Sequence, residues 1–549
     1  MTRVLPRRPR ARRSLLATLT LLVASALAVT CAVTAPSSSA AGAASLSISA
    51  RNYYGGQGLV FSGSIGKAEA TRIWLEFHMG LPGDSWTPVE DSERRTAADG
   101  SFRFRFPARS MNGIRLRVAA DGSVTPPVTL HARDQAAHVT VRTVGEQLDT
   151  DGYVEHAGYP VLAGRPMQVT VDTSPDGEPV LDGRGVDLQV RGRSTRWTTR
   201  WRTVASARVG SGGVARFRLD APRRDKTYRA RLADWSEGGS EIGWFPSFPV
   251  AVDALPAAAR RSVRADAPTV DAPAPAGATS RLRRTDPWYS SAGTTAAAKH
   301  GWSPALWDFA WEYGESLSDR PFRGADRRGR WLEYSDGSGI AAKQNGGLQL
   351  ESSFSDYPRP GNAGPGDHGT TAVQLTGNAR SHGRWEVRIR PWTAVAPRAE
   401  PGGDYRIRAE LVPARARLRA CGARSIVIAD LTPNTPRVRF GASTPEGRRA
   451  WRGSRGGIVV SRMPRAYSVE VAPDHISWFI DGTVVGTVNS RAAVPGVPLT
   501  LRISMVGRGQ REMDHTYAIM DWMRGFDLER GEQVRSGAAL KRRRSAAGC

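Results

Sequence analysis

The clearest pattern along the chain is a strict alternation of apolar and polar residues in short segments. In "DGSFRFRF" (Asp99–Phe106), three phenylalanines alternate with polar residues after an Asp-Gly turn. An alternation of period two is typical of a half-buried antiparallel strand, because successive side chains point to opposite faces of a sheet. Segments of this kind, separated by turn residues, recur along most of the chain. The pattern predicts an all-β protein built from β-sandwiches.

Two similar segments, which begin at Leu59 and Met167, contain strand-like runs in the same order. Short alternating strands between regular turns are typical of immunoglobulin-like sandwiches. We therefore expect two such modules, at residues 45–134 and 137–253. Their tryptophans either stack on sugar rings or pack within the modules, and the sequence leaves both interpretations open: Trp74, Trp86, Trp197 and Trp201.

The rest of the chain divides into a linker, a third module and a tail. Residues 254–285 are rich in Ala, Pro, Asp and Arg without periodicity, which predicts a disordered linker. Residues 286–530 predict one large antiparallel sandwich, with Asp481-Gly482 as a two-residue hairpin turn. Its strand-like segments are Gly346–Ser353, Gly383–Pro391, Asp404–Pro413, Ser425–Leu431, Arg437–Ser443, Ala466–Pro473, His475–Val488, Leu499–Gly507 and Thr516–Leu528. Residues 531–549, which end in "KRRRSAAGC", predict a basic tail.

The N-terminal 40 residues have the features of a signal peptide. An arginine-rich start precedes an apolar segment, Leu15–Val29, and small residues follow. The pair Arg12-Arg13 is compatible with a twin-arginine signal. No later apolar run is long enough to span a bilayer, so we expect a secreted protein without a membrane anchor in the mature chain.

The net charge of +25 is carried almost entirely by arginine, since only five of the 77 basic residues are lysine. Either a coding bias or attraction to an anionic surface, such as an acidic cell-envelope polymer, accounts for this charge. No nucleic-acid motif is present, so we expect no nucleic-acid partner. No His/Cys cluster indicates zinc, and the sequence does not decide whether Cys421 pairs with Cys549.

Five segments of the third module, in this order, resemble the family-16 glycoside hydrolases, whose domain is a concanavalin A-like jelly-roll. The segments are "WDFAWEYG" (Trp307–Gly314), "GGLQLES" (Gly346–Ser352), "HGRWEVRIRP" (His382–Pro391), "DHISWFIDGTVV" (Asp474–Val485) and "IMDWMRGFDL" (Ile519–Leu528). The resemblance covers the third module only. It implies a jelly-roll sandwich and retaining hydrolysis of β-glycosidic bonds, which needs two carboxyl groups about 5–5.5 Å apart.

In that family the acids stand on one strand as Glu-x-Asp-x-x-Glu, and a bulge returns the last acid to the cleft face. The corresponding stretch here is "SIVIAD", with Ser425 at the nucleophile position, Val427 at the assisting position and Asp430 at the acid/base position. The resemblance therefore implies a degenerate catalytic site. From the residues alone, the same stretch is equally a buried strand in which Asp430 accepts hydrogen bonds from the following turn.

The preceding strand has Glu410 where the family has a sugar-stacking tryptophan. One hypothesis is that Glu410 and Asp430 form a relocated carboxyl pair. The other is that Glu410 pairs with a neighbouring arginine, such as Arg408 or Arg388.

Aromatic and acidic residues complete the candidate site. Since sugars present apolar faces to aromatic rings, we predict Trp331, Trp392, Tyr405 and Trp451 as substrate-binding residues. The tryptophans inside strands are predicted to be core: Trp385, Trp478 and Trp522. No cofactor is expected, although relatives often hold a structural calcium ion, for which Asp308 and Asp521 are the candidate ligands.

Three functions follow from these observations. The leading prediction is a secreted, non-hydrolytic polysaccharide-binding protein on a glycoside hydrolase scaffold. The second is an active β-glucan hydrolase in carbohydrate metabolism, and the third is a structural or adhesive envelope protein. The sequence indicates neither the polysaccharide nor the oligomeric state.

Overall fold

The computed structural model describes most of the 549 residues. The described ranges are 42–79, 85–145, 158–175, 177–193, 198–256, 295–311, 329–344, 346–353, 367–393, 403–433, 435–458 and 464–544. The predicted signal peptide lies outside these ranges, as do nearly all of the predicted linker and the last residues of the predicted tail. No helix of the described part is long and apolar enough to cross a membrane.

The described part of the first module contains eleven short strands arranged in small sheets. They are β1 (Ser45–Ile48), β2 (Asn52–Tyr54), β3 (Gly58–Ser64), β4 (Arg72–His78), β5 (Thr87–Pro88), β6 (Arg94–Arg95), β7 (Ser101–Pro107), β8 (Arg115–Ala120), β9 (Ser123–Val124), β10 (Val128–Thr129) and β11 (His131–Arg133). One sheet has the order β1-β3-β7 and another the order β10-β8-β4-β5, while β2 pairs with β11. Phe102 and Phe106 of β7 are buried, as the alternation in that segment predicts.

Within the described residues, the second module contains nine strands in two sheets. They are β12 (His138–Thr143), β13 (Gly158–Leu162), β14 (Pro166–Asp172), β15 (Gly185–Arg191), β16 (Trp201–Arg208), β17 (Val214–Asp220), β18 (Lys226–Leu232), β19 (Phe245–Pro246) and β20 (Val250–Leu255). The sheet orders are β12-β14-β17 and β13-β20-β18-β15-β16, with β19 beside β18. Alternate residues of β14, such as Val169 and Val171, fill the core between the two sheets.

In the ranges given above, the third module contains one short helix and sixteen strands. They are α1 (Ala296–His300), β21 (Trp307–Phe309), β22 (Arg330–Ser335), β23 (Ile340–Gln344), β24 (Gly347–Glu351), β25 (Thr371–Thr376), β26 (Gly383–Thr393), β27 (Arg406–Pro413), β28 (Ile426–Leu431), β29 (Arg437–Ser443), β30 (Arg449–Gly456), β31 (Arg465–Val471), β32 (Ile476–Ile480), β33 (Thr483–Val488), β34 (Leu499–Val506), β35 (Thr516–Phe526) and β36 (Lys541–Arg544). Described 3₁₀ turns lie between strands at Ala416–Leu418, Ala420–Gly422 and Arg491–Ala493.

These strands form two eight-stranded sheets. The first sheet has the order β23-β24-β35-β26-β31-β32-β33, with β21 beside β35. The second sheet has the order β22-β25-β34-β27-β28-β29-β30-β36. A shared apolar core contains residues of both sheets, including Val387 and Ile389 from the first and Leu501 and Ile503 from the second. The predicted all-β class, built from sandwiches, is confirmed.

The face of the first sheet that points away from this core is covered. Arg384 of that face is fully buried and donates hydrogen bonds to the carbonyl oxygens of Asp527 and Glu532, at 3.0 Å and 3.1 Å. Glu386 accepts hydrogen bonds from the backbone of α1 and from Ser468. The C-terminal segment and α1 therefore lie over this face. The corresponding face of the second sheet, called the outer face below, is where exposed side chains remain.

The second and third modules each contribute residues to the core of the other. Ile340 and Ala342, from β23, belong to the core of the second module, while Trp244 belongs to the core of the third. Arg229 donates two hydrogen bonds to the carboxylate of Glu333, at 2.8 Å and 2.5 Å. The two modules are therefore packed against each other rather than joined only by the linker.

Residues 531–544 of the predicted basic tail pack against the third module. Strand β36 pairs antiparallel with β30, and Val534 is buried against Phe479 and Phe526. Sequence composition misses this strand, because its own side chains are all charged and exposed and its pairing depends on a partner far along the chain. The predicted Asp481-Gly482 hairpin turn is present, with positive φ of 47° and 71° at its two residues.

Candidate functional site

Strand β28 contains a β-bulge at the stretch that the resemblance aligns with the catalytic acids. Val427 lies opposite Gly441 of β29, whereas Asp430 lies opposite Arg439, so β28 has one extra residue over this interval. Ile428 and Ala429 both point into the core. As a result Val427 and Asp430 both lie on the outer face, an arrangement that strict alternation would not give.

A tryptophan of the first sheet contacts this bulge across the core. The indole N–H of Trp478 donates a hydrogen bond of 2.9 Å to the carbonyl oxygen of Val427. A bulge removes backbone groups from the regular ladder, and a buried carbonyl without a donor is costly. The indole thus stabilises the irregular backbone that places Asp430 on the outer face.

Asp430 is held by two arginines of the neighbouring strand β27. Nε of Arg406 lies 3.1 Å from Oδ1, and Nη2 of Arg408 lies 2.8 Å from Oδ2. Burial alone would raise the pKa of Asp430, but the hydrogen bonds and charges of the two guanidinium groups outweigh it and lower the pKa below its usual range. The carboxylate is only 4% exposed and remains ionised at neutral pH.

Glu410 is held by an arginine on the other side of β27. Nε and Nη2 of Arg502, on β34, donate to Oε1 at 3.0 Å and 2.7 Å, and both side chains are buried. The partner is therefore neither Arg408 nor Arg388, which instead pairs with Asp521 at 3.1 Å. Sequence reasoning missed Arg502, because the two residues meet only through the register of β27 with β34.

Arg408 lies between the two acids on the outer face. Burial lowers its pKa, but the charges of Glu410 and Asp430 outweigh burial and raise the pKa above its usual value. Three guanidinium groups thus neutralise two carboxylates on this part of the face.

Ser425 lies just before β28 and completes a local turn. Its hydroxyl donates a hydrogen bond of 2.6 Å to the carbonyl oxygen of Gly422 and lies 3.4 Å from the Ser443 hydroxyl. Arg424, the preceding residue, has a left-handed backbone with φ of 58°. Among the described residues, no carboxylate or imidazole contacts this hydroxyl, so the structure provides no base to activate it as a nucleophile.

Retaining glycoside hydrolysis requires one free carboxylate as nucleophile and one protonated carboxyl group as acid. The carboxylates of Asp430 and Glu410 are instead paired with arginine, and the lowered pKa of Asp430 opposes proton donation at neutral pH. The described residues of this face therefore do not supply the acid/base pair of that mechanism.

Three of the four predicted sugar-stacking residues are buried in the core. Trp331, Tyr405 and Trp451 are 5%, 1% and 6% exposed. Trp331 lies opposite the core residue Leu375, and Trp451 lies opposite the core residue Ala442. Alternation therefore directs these rings inward, and the prediction that they bind substrate is incorrect. The side chain of the fourth residue, Trp392, lies outside the described part of the structure.

The other tryptophans that the sequence analysis singled out do not form an open stacking surface among the described residues. Trp385 and Trp478 belong to the core of the third module, as predicted. Trp522 is also buried, but it lies outside that core, and the guanidinium of Arg524 lies 4.3 Å from its ring centre. In the first two modules, the guanidinium of Arg117 lies 4.1 Å from the ring centre of Trp86, and that of Arg229 lies 4.3 Å from Trp201. Trp74 donates to Glu76 at 3.0 Å, and Trp197 lies outside the described residues. Arginine thus occupies a face of Trp86 and of Trp201.

The two candidate calcium ligands are each paired with an arginine. Asp308 accepts a hydrogen bond of 2.9 Å from Arg524, and Asp521 pairs with Arg388. Within the described ranges, no group of three or more His, Cys, Asp or Glu side chains is placed to hold a metal ion. The structural calcium remains a suggestion of the resemblance alone.

Beyond the paired acids, the outer face is strongly basic. Sequence reasoning did not single out the arginines of "RVRFGAS", whose alternation with core residues places them all on one face. The basic residues of this face on β29, β30 and β36 are Arg437, Arg439, Arg452, Lys541 and Arg543, which we call the cationic stripe.

Comparison with known proteins gives structural likenesses only. No family model and no curated protein matches the chain. A laminarinase from Flavobacterium sp. UMI-01 is 12% identical, with a TM-score of 0.30, and the match covers 41% of this chain and 100% of the solved one. An endo-β-1,3-glucanase from Pyrococcus furiosus is 13% identical, with a TM-score of 0.29, and the match covers 41% of this chain and 95% of that enzyme. The laminarinase catalytic domain from Thermotoga maritima MSB8 is 14% identical, with a TM-score of 0.29, over 41% and 98% of the two chains. At these identities and TM-scores the likenesses carry no argument about the activity of this chain.

Proposed function

We propose that this protein is secreted and binds polysaccharide through the outer face of its third module without hydrolysing it. The observation that carries the proposal is the pairing of both carboxylates on that face with arginines: Asp430 with Arg406 and Arg408, and Glu410 with Arg502. Groups fixed in this way suit recognition of a ligand, since they are ordered before it binds.

The partly exposed guanidinium groups support binding. The side chains of Arg406 and Arg408 are 43% and 29% exposed, so each retains surface that a ligand can reach while it holds Asp430. A guanidinium has five N–H donors, and two bonds to a carboxylate leave others for hydroxyl or acidic groups of a sugar.

Pull-down of the full-length protein on insoluble polysaccharides, at low and high salt, tests the proposal. We expect retention that decreases with salt, because arginine contacts are screened whereas stacking on aromatic rings is not. An Arg406→Ser/Arg408→Ser variant should be retained less. No retention on any polysaccharide would refute the proposed function and favour a structural or adhesive role.

Hydrolysis is tested separately by reducing-sugar release from a panel of β-glucans. We expect no release above background by the wild-type protein. Release that is abolished in Asp430→Asn would establish the alternative function, a β-glycoside hydrolase, and would contradict the chemical argument from the ion pairs.

A further inference from the structure

The cationic stripe crosses three adjacent strands at one edge of the second sheet. Arg439 lies opposite Asp430 on one side and Ser454 on the other. Arg452 lies opposite Gly441 and Lys541, and Arg543 lies opposite Ala450. Directly opposed residues share a face of a sheet. All five basic residues are exposed, and they lie on the same face as Asp430.

No acidic residue of β29, β30 or β36 shares this face. The other residues of the face on these strands are Gly441, Ser443, Ala450, Ser454 and Gly456. The acid on the neighbouring strand β28, Asp430, is already held by Arg406 and Arg408. Within the described part of the chain, none of the five stripe residues has an ion pair with an acidic side chain. Among the described residues, acidic side chains therefore leave the positive charge of the stripe uncompensated.

The spacing of these charges suits a linear polyanion. Neighbouring strands lie about 4.7–4.9 Å apart, and residues two apart on one strand are about 7 Å apart. Charges at such intervals across three strands can contact successive acidic groups of one polymer. A guanidinium binds carboxylate, sulfate or phosphate groups with two parallel hydrogen bonds.

The aromatic residues of these strands point away from the stripe. Phe440 and Trp451 both belong to the core, on the opposite side of the sheet. Binding of single-stranded nucleic acid depends on aromatic side chains on which bases stack. The described side chains of this area lack such a platform, which favours an acidic polysaccharide over a nucleic acid.

We propose that the cationic stripe is the binding site for an acidic polysaccharide, and that the C-terminal strand β36 supplies part of it. This inference rests on the proposed function and names the chemical class of its ligand. It also assigns a role to a strand whose four residues are all basic: Lys541, Arg542, Arg543 and Arg544.

The experiment compares two stripe variants of the full-length protein with a matched control. Arg437→Ser/Arg439→Ser removes two charges from β29, and Lys541→Ser/Arg543→Ser removes two from β36. Arg216→Ser/Arg218→Ser removes two exposed arginines from β17, on a sheet of the second module. All three variants carry the same net charge, and circular dichroism checks that each is folded.

Binding is measured by calorimetry against a polyuronate, a sulfated dextran, an uncharged dextran and a single-stranded oligonucleotide, at two salt concentrations. We expect each stripe variant to bind the acidic polysaccharide that the wild type binds at least about fivefold more weakly than the wild type does. Each exposed ion pair is weak, but the losses from two removed charges add. The control should bind as the wild type does. The two acidic probes distinguish a carboxylate ligand from a sulfate ligand.

The outcomes separate this inference from the proposed function. Binding to the uncharged dextran that equals binding to the acidic polysaccharides would overturn the stripe as the binding site. A loss of binding that occurs only in Arg406→Ser/Arg408→Ser would do the same. Either result would leave the proposed polysaccharide binding intact. Equal weakening in the control would show that total charge matters rather than the stripe. Tighter binding to the oligonucleotide than to either acidic polysaccharide would overturn the assignment of an acidic polysaccharide as the ligand. Unchanged binding in both stripe variants would mean that these charges serve only to keep the sheet edge from pairing with other chains.

Discussion

The pair between Glu410 and Arg502 gives the sharpest test of how the outer face is held together. Arg502→Met removes both hydrogen bonds to Oε1 of Glu410 and leaves a carboxylate that is 4% exposed. Methionine retains much of the length of the arginine side chain, so the change removes charge with little loss of packing. We expect the variant to be markedly less stable than the wild type.

The expected loss of stability follows from the burial of this ion pair. Breaking a buried ion pair by removing one partner costs about 3–5 kcal/mol, because the remaining charge is left without compensation. The charge of Arg408 also acts on Glu410 and reduces this cost. We therefore expect about 3 kcal/mol, which for a module of this size lowers the melting temperature by about 6–12 °C.

Scanning calorimetry of the full-length protein at pH 7 measures this change. The matched variant is Arg502→Met/Glu410→Leu, in which both charges are replaced by apolar groups. Replacement of a whole buried pair is often neutral or stabilising, so we expect the double variant to recover to within about 1 kcal/mol of the wild type.

Two results would refute this reasoning. A single variant as stable as the wild type would mean that solvent or another cation compensates Glu410 fully. A double variant as unstable as the single one would mean that the loss comes from packing around the guanidinium rather than from the unpaired charge.

Two further predictions concern the framework behind the face. Trp478→Phe removes the donor to the Val427 carbonyl and should lower the free energy of unfolding by about 1–3 kcal/mol. Urea denaturation measures this change. An unchanged midpoint would show that the indole does not stabilise the bulge. Burial alone would lower the pKa of His475, but hydrogen bonds to Glu470 and Asp474 outweigh it and raise the pKa. Its contribution to stability is therefore fully present below the pKa of about 6.5 in the unfolded chain and is lost as the pH rises through the folded value. Urea midpoints of the wild type should decrease between pH 6 and pH 9 more than those of His475→Gln, and parallel curves would contradict the prediction.

Much of the strand content follows from the sequence, because alternation is a local property. "RVRFGAS" predicts Arg437–Ser443, and the structure has β29 over the same residues. The Asp-Gly turn predicts the hairpin of β32 and β33, since only a few residue types tolerate two successive positive φ values. The strand pattern predicts the all-β class for the same reason.

The sequence also places Asp430 in the same strand-like segment as Ser425 and Val427. It does not show which side chains contact Asp430 in the folded protein. The pairing of Glu410 with Arg502 joins residues 92 positions apart. It exists because β27 lies between β28 and β34 in one particular register. Sheet register depends on packing of the whole sandwich, and no local pattern encodes it.

The orientation of side chains also depends on the tertiary structure. A period of two shows that neighbours lie on opposite faces, but it does not show which face is the core. Trp331, Tyr405 and Trp451 were predicted to bind sugar and instead fill the core, while Arg439 and Arg452 lie outside. The bulge in β28 then reverses the alternation before Asp430. The sequence by itself therefore determined many of the strands and the hairpin turn, because both are local properties. Only the tertiary structure decided that β36 joins the sheet and that the outer face is arginine-lined, because both depend on contacts between distant strands.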